Sequence, residues 1–201
     1  TAAAGGLAGA GSSASGAAGA AGGAGAAGAS AHQKFVGNIT TRGVVRPDFA
    51  EYWDQLTPEN EGKWGVIEAT RDVMNWSALD AVYKYAKDRG IPFKQHTLIW
   101  GSQAPSWLAG LPPAEQAAEV EEWIQAFCAR YPDVPMVDVV NEPDHAPPSF
   151  LDALGGKGAT GHDWVIWSFR TARKHCPRAI LILNDYNVLR WDTDKFIAIA
   201  N

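Results

Sequence analysis

From residue 34 onward, short apolar-rich runs alternate with longer segments in which apolar residues recur every three or four positions. The runs at 34–39, 55–60, 91–100, 136–142 and 179–185 read as strands, and the segments 47–55, 77–89, 113–131, 163–175 and 193–200 read as helices. In 77–89, Leu79, Val82, Tyr83 and Ala86 fall on one helical face, and Gly90 supplies the stop. In 113–131 the inner stripe is Val120, Ile124, Phe127 and Cys128, with acidic residues expected on the opposite face. A strand followed by a helix, repeated down the chain, predicts parallel strands covered by helices. No Gly-rich phosphate turn follows the first strand, whereas polar residues gather at the carboxyl ends of strands two to five. That spread suits a barrel mouth better than a doubly wound sheet. The expected fold class is α/β, a parallel (β/α)8 TIM barrel truncated after about five βα units.

Residues 1–32 are almost entirely Ala, Gly and Ser, without charge or periodicity. Such a segment buries too little apolar surface to offset its ordering entropy, so it is expected to be a low-complexity linker, with the folded domain at 33–201. A linker of this composition commonly tethers a catalytic module to a further module or to an envelope, and a start at Thr rather than Met suggests that something upstream has been removed or is missing. A net charge of -5 argues against nucleic acid as a partner. No run of eighteen apolar residues exists, so no membrane-spanning helix is expected. The chain carries nine Trp, a high number; stacking on sugar rings is one use for an amphipathic indole, and most of the nine are expected in the core or between helices. Trp123, Trp164 and Trp167 fall on helical patterns and are read as packing residues. The two cysteines, Cys128 and Cys176, lack metal-ligand spacing. They lie near the ends of neighbouring predicted helices, which leaves open both a disulfide and a pair of buried thiols.

Four motifs carry the candidate chemistry. The second strand runs into Thr57 to Trp64, Thr-Pro-Glu-Asn-Glu-Gly-Lys-Trp. The third carries His96 to Gln103, His-Thr-Leu-Ile-Trp-Gly-Ser-Gln. The fourth carries Val137 to Glu142, Val-Asp-Val-Val-Asn-Glu, and the fifth Ile180 to Asn187, Ile-Leu-Ile-Leu-Asn-Asp-Tyr-Asn. The Asn141-Glu142 pair is the most informative of these, because the carboxyl ends of barrel strands form the reaction face. In this order the four motifs resemble glycoside hydrolase family 10, whose usual activity is endo-1,4-β-xylanase, over nearly everything after the linker. The resemblance implies that Glu142 is the general acid/base of a retaining two-carboxylate mechanism. It implies that Asn141 bonds the 2-hydroxyl of the reacting sugar, that Glu59, Asn60 and Lys63 bind donor-side sugar, that His96 and Trp100 surround the reacting ring, and that Tyr186 and Asn187 lie on the acceptor side. Glu61 is read as structural. No cofactor or metal is called for.

Strand alternation adds an inference of its own. If His96 and Glu142 point into the mouth, Lys94 and Asp138 share their parity and lie beneath them, where two opposite buried charges are expected to pair.

Two departures from the resemblance matter. Family members often carry a second His after the Trp of the third-strand motif; here the position is Gly101, and its lack of a side chain is expected to leave space for water or a larger substituent. The 201 residues also fall short of about 250 for a complete barrel. The nucleophile, which the family places on a later strand, is therefore expected to lie outside the chain, and this piece alone is expected to be inactive. The functional expectation is cleavage of internal β-1,4-xylosidic bonds of xylan. The alternatives are an inactive carbohydrate-binding barrel remnant and a β-1,4-glucanase. A polymeric substrate implies a secreted or cell-envelope, extracellular location.

Overall fold

Strand β4, Met136–Asn141, is buried at every position and sits between β3, Lys94–Ile99, and β5, Ile180–Asn184, in a parallel three-stranded sheet. These elements belong to a computed structural model that describes residues 34–201; the expectations for residues 1–32 lie outside the described residues. Upstream, β1, Gly37–Ile39, pairs in parallel with β2, Gln55–Thr57. A parallel bridge between Leu56 and Phe93 and a bond from the Leu56 N–H to the Pro92 carbonyl (3.0 Å) join β2 to the approach of β3. The strands therefore follow one another across the sheet in chain order. A doubly wound sheet reverses direction at its first strand; a barrel does not.

The crossover after β1 is the single turn α1, Phe49–Tyr52. After β2 come α2, Trp64–Ile67, and α3, Ser77–Arg89. α4, Pro113–Arg130, follows β3; α5, Asp163–His175, follows β4; and α6, Thr193–Ala200, follows β5. α3 buries Leu79, Val82 and Ala86 and stops at Gly90, whose φ of 64° places it in the left-handed cap that glycine favours. Proline opens α4, where its missing N–H has no helical partner to lose. The strands are shorter than the apolar runs suggested. β2 ends at Thr57 because Pro58 has no N–H for a ladder, residues 34–36 and 91–92 lead into their strands without joining them, and Phe93 makes only its isolated bridge to Leu56.

The core is aromatic at its outer layer. Trp123 is fully buried, donates from Nε1 to the Leu98 carbonyl (2.9 Å), and stacks between Trp64 and Trp76 with planes 6° and 9° from parallel. Trp164 is buried and Trp167 packs against the core, so the three indoles read as packing residues have that role. The outer face of α4 departs from expectation at Glu119, which is buried. The reason is Arg71, which lies over the helix and bonds both Glu119 and Glu115. Cys128 and Cys176 form a disulfide that ties the carboxyl-terminal ends of α4 and α5.

Candidate active site

The carboxyl end of β4 is irregular, and the irregularity aims its side chains. Val139 bulges against β5, whose Ile182 and Leu183 face Asp138 and Val140 in succession, and β3 carries a second irregularity between His96 and Ile99. Such bulges re-aim side chains beside functional sites. Just past Asn141 the backbone turns sharply, with Glu142 at a left-handed φ of 52°. It is fixed there by two bonds: its N–H donates to the Asn184 carbonyl (2.7 Å), and its carbonyl accepts from the Ala146 N–H (2.8 Å). The carboxylate accepts from the Trp100 indole, Nε1 to Oε2, at 3.0 Å.

Beneath it lies a buried carboxylate with two nitrogen partners. Asp138 is completely buried, and its Oδ2 stands 2.9 Å from both Lys94 Nζ and His96 Nδ1. The contact anticipated between Lys94 and Asp138 is present, although the bulge at Val139 breaks the simple alternation linking Asp138 to Glu142. With Nδ1 turned to the carboxylate, the Nε2 of His96 is the ring atom left for a ligand. The Thr97 hydroxyl donates to the Asp138 carbonyl (2.8 Å), holding the two strands together at this level.

The β2 side contributes a linked set. Lys63 is buried, its Nζ lies 4.2 Å from the Trp100 ring centre, and it donates to Gln103 Oε1 (3.0 Å). Gln103 in turn donates to Asn60 Oδ1 (3.3 Å). Burial lowers the Lys63 pKa, against the opposing charges of Glu142, Glu59, Glu61 and Asp138. An ammonium in the field of four carboxylates and lying on an indole face is held ready to donate to hydroxyls. Glu61 is structural, as expected: buried, it accepts from the Thr40 hydroxyl (2.8 Å) and the Asn60 N–H (3.3 Å), while Thr40 accepts from the Glu59 N–H (2.7 Å). These bonds pin the turn that carries Glu59 and Asn60.

The remaining predicted residues divide in two. Asn141 is buried, and its side-chain Oδ1 accepts from Asn184 Nδ2 (2.7 Å), which leaves its Nδ2 for other partners. Tyr186 and Asn187 lie on the loop after β5, where Asn187 has a φ of 61° and its carbonyl accepts the N–H groups of Arg190 and Trp191. Tyr186 stacks on His145, a residue that sequence reasoning passed over, as it passed over Gln103 and Asn184. Gln103 closed the third-strand motif, and Asn184 preceded Asp185 in the fifth; both signals were available.

The expectation of open space at Gly101 is wrong. A Cβ there would stand 2.5 Å from both the Ala146 and the Pro147 carbonyl oxygens, so the loop after β4 occupies the place where a side chain would project. The Gly101 N–H donates to the Ala146 carbonyl (3.0 Å), sealing that approach. Glu68, Asp72 and Glu119 also bring carboxylate oxygens within 4.8 Å of one another. Both Glu68 oxygens already accept, from the Trp64 indole and the Asp72 N–H, and Glu119 is paired with Arg71, so the group braces the fold.

Parallel βα units that present a carboxylate, an amide, an indole, an imidazole and an ammonium at one mouth define a barrel of the glycoside hydrolase class. The model of glycosyl hydrolase family 10 matches residues 16–201, and the chain belongs to that family. It is 53% identical over 170 residues to endo-1,4-beta-xylanase B of Cellvibrio japonicus, covering 84% of this chain and 28% of that protein. It is 30% identical over 168 residues to endo-1,4-beta-xylanase 3 of Hypocrea jecorina, covering 80% of this chain and 48% of that one. The chain thus spans between about a quarter and a half of the length of these relatives. Among solved structures, a family 10 protein from Paenibacillus barcinonensis superposes with a TM-score of 0.71 at 24% identity, over 82% of this chain and 55% of that one. The fold is the (β/α) barrel of that protein, represented here by five consecutive parallel strands.

Proposed function

We propose that the chain contributes the acid/base half and the donor-side sugar contacts of an endo-1,4-β-xylanase acting on xylan by a retaining double displacement. The observation that carries this reading is Glu142, held by the Trp100 indole at the carboxyl end of β4; the identity of the chain with relatives named xylanases supports xylan as the substrate. On this reading Glu142 protonates the departing glycosidic oxygen, then takes a proton from the water that attacks the intermediate. Asn141 donates to the sugar 2-hydroxyl, Glu59, Asn60 and Lys63 bind vicinal hydroxyls on the donor side, His96 and Trp100 enclose the reacting ring, and Tyr186 and Asn187 receive the leaving portion.

The retaining mechanism requires a second carboxylate about 5–5.5 Å away. Asp138 and Glu61 are buried, each with one oxygen held by neighbouring side chains, and Glu59 serves binding, so we infer that none of them is the nucleophile and that this chain alone binds xylan without turning it over. The disulfide supports export, since such bonds persist in oxidising compartments, and residues 1–32 support attachment to a further module.

Calorimetric titration of the 201-residue chain with xylotetraose and with cellotetraose tests the reading. Tighter binding of xylotetraose, weakened by Lys63→Ala, is expected. Equal or tighter binding of cellotetraose defeats the xylan assignment in favour of a β-1,4-glucanase. Release of reducing sugar from xylan by this chain defeats the inference about the nucleophile.

A further inference from the structure

His145 is three residues past Glu142 and takes no part in the chemistry assigned above, yet both of its ring nitrogens face carboxylates. Nδ1 stands 2.6 Å from Asp185 Oδ1, at the end of β5, and Nε2 stands 3.2 Å from Asp192 Oδ2, at the start of α6. A neutral imidazole carries one N–H and one lone pair, so it satisfies one of these carboxylates and turns a lone pair on the other. The imidazolium donates to both. The ring also lies against Tyr186, with centroids 3.9 Å apart and planes 27° from parallel, while Tyr186 keeps 49% of its surface exposed.

The surroundings match a cation at this position. Asp185 is 3% exposed at its side chain, so its charge has little water to lean on. Lys195 of α6 binds Asp192 (3.2 Å) and Asp144 of the His145 loop (3.3 Å), so the imidazole is the cationic partner of Asp185, whose Oδ1 also accepts the Tyr186 N–H (2.8 Å). Burial works to lower the His145 pKa, but the hydrogen bonds and charges of Asp185 and Asp192 outweigh it, and the net direction is upward from 6.5. The backbone on either side is held as well, Ala146 donating to the Glu142 carbonyl and accepting from Gly101.

We propose that His145 is a positioning residue: as an imidazolium it clasps the loop after β4 to the loop after β5 and presents the Tyr186 ring as a stacking surface for the sugar on the leaving-group side of Glu142. The sugar-binding half of this proposal rests on the xylan reading above; the clasp itself does not. Because the folded-state pKa is raised, the clasp is complete below 6.5 and is lost as pH rises through the folded value. Binding on the acceptor side therefore weakens with rising pH.

The test has two arms on the 201-residue chain. In the first, the NMR titration of the His145 ring, assigned by its loss in His145→Gln, is expected to have its midpoint above 6.5 and to move down in Asp192→Asn. A midpoint at or below 6.5 overturns the proposal. In the second arm, xylotetraose binding is measured below and above that midpoint. Wild type is expected to lose roughly threefold to tenfold in affinity, the range of one aromatic contact; Tyr186→Ala and His145→Gln are expected to be weak and insensitive to pH. Affinity that is constant across the midpoint overturns the Tyr186 role. Failure of wild type to bind xylotetraose at either pH defeats the xylan reading and with it the sugar role, while the first arm still decides the clasp. Should His145→Gln lose its fold, Asp192→Asn supplies both the shifted midpoint and the shifted affinity profile.

Discussion

Gly101→Ala isolates the close approach between the β3 and β4 loops. The added methyl would stand 2.5 Å from the Ala146 and Pro147 carbonyl oxygens and 2.8 Å from the Pro147 carbonyl carbon, all backbone atoms that cannot rotate away. Ordinary contact begins near 3.5 Å, so the loop must retreat by about 1 Å. Overpacking of this kind costs about 1–3 kcal/mol. The retreat also strains the Gly101–Ala146 hydrogen bond, worth about 1 kcal/mol. Alanine returns a few tenths of a kcal/mol by stiffening the unfolded chain. The net loss is roughly 1.5–3.5 kcal/mol, which for a domain of this size lowers Tm by roughly 3–14 °C. Thermal unfolding followed by far-UV circular dichroism reads this directly. Gly110→Ala is the control, since a Cβ there meets nothing within 4 Å, and its Tm is expected to stay within about 2 °C of wild type. If Gly101→Ala matches that control, the packed-loop account of Gly101 is refuted and the open-space expectation returns.

Three further outcomes are expected. Lys94→Met leaves Asp138 buried without its cation and should cost on the order of 3 kcal/mol in urea denaturation; the double variant Lys94→Met with Asp138→Asn should recover much of it, and no recovery would count against the ion-pair account. Reducing the disulfide, whose cysteines are 48 residues apart, should cost about 4 kcal/mol by loop entropy, visible as an earlier urea midpoint in dithiothreitol. Arg130 bonds Asp80 and holds its pKa below 3.8, against the effect of burial. That contribution to stability is present above 3.8 and is lost as pH falls through the folded value, so Asp80→Asn should flatten the acid limb of the stability profile, and an unchanged limb would remove Asp80 from it.

The sequence carried much of the fold because its helices are strongly periodic. Helices at 77–89, 163–175 and 193–200 have the bounds that apolar spacing indicates, while the strands are trimmed where proline or the run into a loop ends the ladder. α2 escaped notice because Trp64 had been absorbed into a binding motif, and four residues are too few to show a period. At the site, residues inside contiguous motifs were legible: Glu142, Trp100, Lys63 and Asn60 are brought into one connected set. The pairing of Lys94 with Asp138 was legible too, because charge burial and strand alternation both demand it. What alternation could not supply were the bulges at Val139 and past His96, which depend on neighbouring strands. Gly101 was misread for the same reason, since the atoms that fill its space lie more than forty residues away. His145 left no periodic signal; its partners Asp185 and Asp192 come from a different loop.

β4 is shielded at every position, whereas β5 opens with an exposed Ile180 and α6 buries no residue fully. Along the sheet, protection against hydrogen exchange should therefore decline from β4 to α6, with local opening cheapest where few side chains hold the backbone. The two sides of the mouth would then differ mechanically: Lys63, Trp100 and Glu142 sit on the slow-exchanging side, and Tyr186, Asn187 and Asp192 on the fast one. On the function proposed above, a sugar chain bridging the two sides meets in this chain one wall already set and one that it must immobilise, so ordering entropy falls mainly on the Tyr186 side.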